Sequence, residues 1–428
     1  MINKTVINIG VAGFGTVGQG LADVIEKNHD LIVRRTGREI RIKSVLIRSE
    51  HRRAEVQAIG AEAVTDYRQL ITDPDIDVVV ELTGGIAFPK QLIADAINAG
   101  KHVVTANKAL LAEDGMGLFA LAAKKGVHLG FEASVAGGIP VVGPLRDSLA
   151  GNGVHKILGI LNGTANYILT EMTDKGLDFQ TALNDATEKG YAEADPTLDI
   201  EGIDTAHKLA LLIRLAFGCN YPFDKLPVTG ITVVTPMDIS FAKEFGFRIK
   251  LLAQSRLIDG KVEAGVYPAL VPEDNLLASV NGAFNAIRLA GNAGPVVLHG
   301  KGAGALPTGS AVLADIMAIA RAAEPNNLGF VGVELPEAEQ IDLDDAVSLH
   351  YLRFTAHDHP GVLRDIAGVL AERGISIQQA TQKSALPDGG VPLVFLTHEA
   401  KACDIHYSMQ KIDQMGLTVD RTMHLRIL

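Results

Sequence analysis

Val6-Ile7-Asn8-Ile9-Gly10-Val11-Ala12-Gly13-Phe14-Gly15-Thr16-Val17-Gly18 is the stretch that decides the fold. Its first seven residues are nearly all apolar. A short apolar run bounded by glycine reads as a buried strand of a parallel sheet. The next six residues spell G-x-G-x-x-G, and an amphipathic segment follows to about Lys27. The motif alone is weak. Strand, glycine turn and helix in succession mark the opening of a dinucleotide-binding βαβ unit. Gly13 permits the turn, Gly15 lets the backbone approach a pyrophosphate, and Gly18 lets helix and strand pack closely. The pyrophosphate would rest on the helix N-terminus. Residues 13–18, with Phe14, Thr16 and Val17 between the glycines, are therefore the expected cofactor contacts.

The pattern continues outward. A second strand is expected over Ile40–Ile47, ending in Arg48-Ser49 with Arg52 and Arg53 close behind. A site selective for NAD would place a carboxylate at that strand end to hold the ribose hydroxyls. An arginine and a hydroxyl suit a 2′-phosphate instead, so NADP(H) is the preferred cofactor and NAD(H) an admissible one. The bland alternative is a solvated basic loop. Asp77–Leu82 reads as the next strand, and its exit Thr83-Gly84-Gly85 lies at the carboxyl edge where ligands bind in such sheets. A helix over Phe88–Ala99 and a strand at His102-Val103-Val104 follow. Thr105-Ala106-Asn107-Lys108 then opens another helix. A lysine at a helix start opposes the macrodipole unless an anion is nearby, although exposed lysines are common. Val127–Glu132 closes the sheet. Ala133–Pro140 is a run of small residues that reads as a hinge loop.

Composition bounds the function. The chain has 428 residues, 47% hydrophobic and 21% charged, with 44 glycines. That is enough for two or three globular domains. A net charge of −11 argues against a nucleic-acid binder. No apolar run has membrane-spanning length and no signal peptide is evident. Cys219 and Cys403 lack metal-ligand spacing and read as reduced thiols of a cytoplasmic protein.

A second informative stretch runs from Ala186 to Lys208, A-T-E-K-G-Y-A-E-A-D-P-T-L-D-I-E-G-I-D-T-A-H-K. It turns at Gly190 and is expected to start a helix at Asp195-Pro196, a good cap and first helical residue. From Leu209 the helix is apolar almost all round, hence buried. Lys208 thus sits where a wet helix start becomes a dry interior, with Asp204 four residues earlier on the same face. Such a pair is usually solvated and worth a few tenths of a kcal/mol. At a cleft edge, partial burial lowers the lysine pKa toward neutral and suits it to proton transfer.

The whole string resembles the signature of homoserine dehydrogenases. It matches A-x3-G-Y-A-x2-D-P-x2-D-I-x-G-x-D-x3-K at eleven positions from Ala186 to Lys208. Asn162-Gly163-Thr164-Ala165-Asn166-Tyr167 looks like the N-G-T-x-N-Y segment of the same family. The resemblance implies reversible reduction of L-aspartate 4-semialdehyde to L-homoserine in the pathway to threonine, methionine and isoleucine. It implies Lys208, Lys108 and Asp204 as catalytic residues, both lysines being candidates for the proton donor. Two neighbouring ammoniums would lower each other's pKa. Glu193, Asp204, Asn162, Gly163, Thr164 and Tyr191 are implied at the substrate. Arg48, Thr83, Gly84, Thr105, Lys108, Gly190 and Gly302 join the glycine motif at the cofactor. A sodium site is implied at Glu132, Val135, Gly137 and Ile139, where oxygen donors fit a hard cation. Two readings compete: a nicotinamide-binding amino-acid sensor without catalysis, and another semialdehyde or amino-acid dehydrogenase. The intact Lys108, Glu193, Asp204 and Lys208 oppose the first. The lack of a nucleophilic cysteine in a matching loop opposes the acylating semialdehyde type.

From Val154 the periodicity changes to that of an α+β domain. Strands are expected near Val154–Leu161, Ile249–Ile258, Val262–Leu270, Ala283–Ala290 and Pro295–His299, with a helix over Met237–Phe247. A helix opening at Pro307 and running to about Ala323 is expected to pack back on the nucleotide domain. Glu324–Ala346 reads as a polar linker that few contacts need cross. Strands near Ser348–Ala356, Gly374–Ile377, Val391–Thr397 and Thr418–Leu428, with helices before Arg373 and over Asp404–Met415, follow. With Asp358-His359-Pro360-Gly361-Val362-Leu363 they resemble an ACT domain, a ferredoxin-like βαββαβ regulatory module. His357 and His359 read as loop residues. The expected architecture is therefore α/β. A Rossmann-type domain spans 1–136, completed by the helix 307–323. A catalytic and dimerisation domain spans 137–323, a linker 324–346 and the ACT domain 347–428. ACT domains commonly pair and bind amino acids. The resemblance therefore implies a homodimer or homotetramer, a small-molecule substrate and an amino-acid effector, with threonine expected. No nucleic-acid or membrane partner is expected.

Overall fold

A computed structural model describes residues 4–321, 324–325, 327–330, 335–387 and 389–428. The chain divides into two compact units. The first comprises Met1–Gly163, Asp204–Leu226 and Phe284–Ala338; the second comprises Thr164–Ile203, Pro227–Ala283 and Glu339–Leu428.

The first unit is built on β1 (Val6–Ala12), β2 (Glu39–Leu46), β3 (Glu62–Val64), β4 (Val78–Glu81), β5 (His102–Thr105) and β6 (Leu129–Gly130). They form one sheet in the order β3-β2-β1-β4-β5-β6, with every pair parallel. The order reverses between β1 and β4, so the crevice at their carboxyl ends is the expected ligand position. Ile7, Ile9, Val11, Val78, Val80 and Val104 are fully buried, as strands covered on both faces require. The helix Ala305–Ala320 joins this core through Val312 and Ile316. It lies directly against the helix Thr16–Lys27 that follows the glycine turn. A Cβ on Gly20 would stand 2.1 Å from the Ala305 carbonyl oxygen, and one on Gly309 would stand 2.6 Å from Gly20 backbone. Only two glycines permit that approach. The helix starts two residues before Pro307, which its first turn tolerates. Ala322 and Ala323, the expected end of this helix, lie outside the described residues.

The chain continues with β7 (Val154–Ile160). In the second unit, β8 (Phe247–Ile258) and β9 (Lys261–Pro272), twelve residues each, form an antiparallel hairpin. Back in the first unit, β10 (Phe284–Gly291) and β11 (Gly294–Lys301) form another, with β10 antiparallel to β7.

The second unit ends in β12 (Val347–His357), β13 (Ile377–Gln382), β14 (Gly390–Thr397), β15 (Ala400–Lys401) and β16 (Met423–Ile427). With the helices Val362–Glu372 and Ala402–Gln414, β12, β13, β14 and β16 make the expected βαββαβ module, and the two-residue β15 pairs with the start of β12. Leu352, Phe354, Leu393 and Phe395 on one sheet face pack on Ile366, Leu370, Ile405 and Ile412 of the helices. On β12 the opposite face carries Tyr351 and Arg353, both buried. They meet Asp238 of the helix Pro236–Glu244: Arg353 Nε donates to Asp238 Oδ1 at 2.6 Å and Tyr351 Oη at 2.9 Å. β16 pairs in parallel with β9 through Arg426–Ala269 and Ile427–Leu270.

Two expectations change. The stretch 324–346 is not a free tether where it is described. Asn220 donates to the Pro336 carbonyl and accepts from Ala338 in the first unit. In the second, Val262 donates to the Glu339 carbonyl and accepts from Ile341. Residues 331–334 lie outside the described residues. Nor does one helix run from Asp195-Pro196 through Lys208. A single turn, Thr197–Ile200, stops at Gly202 with φ +82°, and a new helix spans Ile203–Phe217. The left-handed glycine ends the first turn. Asp204 and Lys208 consequently sit in the first two turns of the new helix, already 7% and 8% exposed.

Candidate active site

At the crevice, Gly13 has φ +100°, and a Cβ there would stand 2.7 Å from the Leu82 carbonyl oxygen. Nothing lies within 4 Å of a Cβ placed on Gly15, so backbone is open to a ligand at the start of the helix. Phe14 is buried beneath the turn, whereas Thr16 is exposed. Thr83 and Thr105 are organised by a residue that no sequence motif flags. Glu81, fully buried at the end of β4, accepts from Thr83 backbone N and Oγ1 at 2.7 Å each. Its other oxygen accepts from Thr105 Oγ1 at 2.6 Å. One carboxylate thus shapes the exits of two neighbouring strands. Gly84 follows with φ +71°. Arg52 and Arg53 are committed to Glu55 and Glu50. Arg48 instead lies over the Phe88 ring, 6.0 Å from its centroid, and is exposed.

The charged centre of the first unit is Asp204. Lys208 Nζ donates to Asp204 Oδ2 and to the Leu161 carbonyl, both at 2.6 Å. Lys108 Nζ stands 3.1 Å from Asp204 Oδ1. Asn162 Nδ2 donates to Oδ2 at 2.9 Å. Lys108 comes from the helix Lys108–Asp114, capped by Asn107, whose Oδ1 accepts from Leu110 N at 3.1 Å. Burial disfavours ionisation of Asp204. The charges of Lys208 and Lys108, with the hydrogen bonds from Lys208 and Asn162, outweigh it and hold the carboxyl well below the usual range. A buried carboxylate that stays ionised keeps two ammoniums together despite their repulsion. A substrate oxygen gaining charge beside them would be met by positive charge and by N–H donors.

In the second unit, Gly190 turns the chain with φ +74°. Thr164 Oγ1 donates to the Tyr191 carbonyl at 2.6 Å. The Tyr191 ring is tilted on that of Tyr167, 4.7 Å between centroids. Tyr167 in turn is held by Asp185 and Lys189. Glu193 is exposed, two residues further on. Gly163, the last residue of the first unit, starts the helix Gly163–Lys175.

Three family models match in succession: the NAD-binding domain of homoserine dehydrogenase over residues 13–132, homoserine dehydrogenase over 140–317, and the ACT domain over 350–402. A homoserine dehydrogenase of Pseudomonas aeruginosa is 44% identical over 401 residues, 92% of either chain. The chain belongs to the homoserine dehydrogenase family. The solved homoserine dehydrogenase of Thiobacillus denitrificans superposes with a TM-score of 0.93 at 41% identity, covering 99% of this chain and 98% of that one. A hyperthermophilic archaeal homoserine dehydrogenase, solved in complex with NADPH, gives 0.63 at 27% identity, covering 76% and 99%. The activity is that of a nicotinamide-dependent homoserine dehydrogenase, an oxidoreductase of amino-acid biosynthesis.

For a homoserine dehydrogenase the loop after β6 is the remaining feature to place. Glu132 spends its carboxylate inside the protein: Oε1 accepts from Val141 and Val142 N at 2.6 and 2.9 Å, and Oε2 from Gly143 N at 2.7 Å. Ala136 and Gly137 both have positive φ, +56° and +54°, so the backbone curls tightly. Val135, Gly137 and Ile139 are buried, yet among the described residues nothing donates to their carbonyl oxygens. Backbone oxygens on such a curl are the kind of donor that a hard cation takes. Asp315, against Glu132 N at 2.8 Å, is pushed up to about 7 by burial. Gly302 closes on the loop, its carbonyl oxygen 2.2 Å from a Cβ built on Gly137. Its other neighbour, Asn285, is buried with neither amide atom hydrogen-bonded. No sequence motif flags Asn285 or Asp315. Among the described residues no helix is long and apolar enough to cross a membrane.

Proposed function

We propose that the proton of the reaction is handled by the two lysines on Asp204. Residues 13–18 would hold a nicotinamide cofactor, which when bound would supply the hydride that the aldehyde carbon of aspartate 4-semialdehyde takes up. The carbonyl oxygen takes up the electron pair, and Lys208 gives it a proton; in the reverse direction Lys208 removes the hydroxyl proton. Lys108 adds a second positive charge at that oxygen. Asp204 keeps both ammoniums oriented. The observation that carries this reading is that one buried, ionised carboxylate binds an ammonium from each of two helices. Replacing Lys208 by Met should lower kcat about a hundred-fold or more while cofactor fluorescence titration stays normal. Near-wild-type kcat would move the proton to Lys108.

Asn162, Gly163, Thr164, Tyr191 and Glu193 form the substrate side of the proposal, with Glu193 as the charge partner of the amino group. NADP(H) is the preferred cofactor, supported by Arg48, which no carboxylate claims among the described residues. Sodium would be held by the backbone oxygens of Val135, Gly137 and Ile139, with Glu132 bracing the curl and adding charge. It would supply rigidity there and no chemistry. The ACT domain would bind an end-product amino acid, threonine first, in a homodimer or homotetramer. Inhibition assays with threonine and light scattering test both. The free thiols of Cys219 and Cys403 support a cytoplasmic setting.

A further inference from the structure

The Asp204 carboxylate is gripped by lysines from two helices, so the distance between those helices sets the site. The Lys108 helix has seven residues, too few to hold a position by its own stability. Its start is tied down by Asn107 Nδ2, which donates to the Gly85 carbonyl at 2.6 Å. Its end presents carbonyls that have no partner within the helix. Arg214, on the helix of Asp204 and Lys208, takes two of them. Its Nη1 donates to the Leu111 carbonyl and its Nη2 to that of Ala112, the latter at 2.7 Å. Its Nε donates to Asn220 Oδ1 at 2.8 Å. The side chain is buried, and among the described residues no carboxylate pairs with it. Burial pushes its pKa down to about 10, so it is still a cation at neutral pH. A buried cation on helix C-terminal carbonyls is favourable there, and the planar fork fixes direction as well as distance.

Seven residues earlier on the same helix, His207 adds a second tie. Its Nε2 lies 2.9 Å from Glu113 Oε1, and its ring stacks on Phe223 with centroids 4.5 Å apart. Residues seven apart share a helix face. One face of the Ile203–Phe217 helix therefore grips the end of the short helix that Lys108 begins.

We infer that Arg214, assisted by the His207–Glu113 tie, is a positioning residue for the dehydrogenase reaction. It holds the Lys108 helix against the Asp204–Lys208 helix so that both ammoniums meet one carboxylate. This rests on the reading that Lys108 serves the reacting oxygen.

A double-mutant cycle on the full-length enzyme tests it, with Arg214→Met, Lys108→Met and the double variant compared in kcat and KM for homoserine. Arg214→Met should lower kcat about tenfold with little change in KM or in NADPH binding. In the Lys108→Met background the same substitution should cost less than about twofold, because the positioned group is gone. Equal cost in both backgrounds makes Arg214 merely structural and overturns the inference. Wild-type kcat in Lys108→Met alone sinks the lysine reading, and the inference with it. If Arg214→Met folds poorly, Glu113→Gln enters the same cycle, with an expected loss of about threefold and the same non-additivity.

Discussion

The β1–β6 sheet and the β16-β12-β14-β13 sheet are bounded in different ways. The first is parallel, and the candidate site residues stand at its carboxyl edge within a few positions of a strand end: Gly13 and Gly15 after β1, Glu81 and Thr83 at β4, Thr105 and Lys108 at β5. The second is antiparallel, and its own helices cover one face only. On β12 its other face meets Asp238, 115 residues before Arg353. One edge is closed by β9. A module that reads as separable along the chain is thus joined to the strands and helix before it by a buried ion pair and a strand pairing. Removing one partner of a buried pair costs several kcal/mol, and an uncovered strand invites aggregation. Boundaries drawn from composition mark where the chain is polar, not where the contacts stop.

The largest effect expected from this difference is that of truncation. A chain ended before Val347 loses Arg353 and Tyr351 and bares β9. It should aggregate or melt well below the full-length protein rather than survive as an unregulated enzyme. A soluble truncated form with wild-type Tm and kcat would restore the linker picture.

Next comes the ion pair itself. Arg353→Met leaves Asp238 buried and unpaired and should destabilise by about 3–5 kcal/mol. In the first unit, Gly309→Ala forces the two helices apart and should cost about 1–3 kcal/mol. Urea titration of both variants ranks them, and the reverse order would mean that packing, not charge, dominates the stability of this chain.

Acid should act on both sheets. Burial pushes His350 down to about 4, with Arg426 and His406 adding to the effect, and holds its neighbour His424 well below its ordinary value. In the first unit burial pushes His102 to about 4. In the unfolded chain an imidazole titrates near 6.5. Between those values the unfolded chain binds more protons, so stability is full above about pH 6.5 and falls as pH drops toward 4. For His350 the loss is about 2–3 kcal/mol at most. Melting from pH 7.5 to 5 should show it, and His350→Gln should flatten the slope. An unchanged slope would place the acid sensitivity at the other buried imidazoles, His424 and His102.

The smallest effect is local to the cofactor. Arg48→Ala should weaken NADPH about tenfold and NADH hardly at all, because only the former carries the 2′-phosphate. Equal losses would remove Arg48 from that role.

The sequence by itself determined the opening βαβ unit of the Rossmann-type domain, the ACT module, and the placing of Asp204 and Lys208 on one helix face. Each depends on residues a few positions apart, where strand alternation, glycine geometry and helical spacing act directly on the chain. It misjudged the helix before Ile203 because Gly202 breaks a run that propensity alone would carry through. Only the tertiary structure decided that Lys108 joins Asp204, that Glu81 shapes two strand exits, that Arg214 grips the Leu111 and Ala112 carbonyls, and that Asp238 holds Arg353. Those contacts join segments about 25 to 115 residues apart in the chain. Their partners are buried polar groups whose cost is offset only by one another, and no local pattern records which distant group will answer.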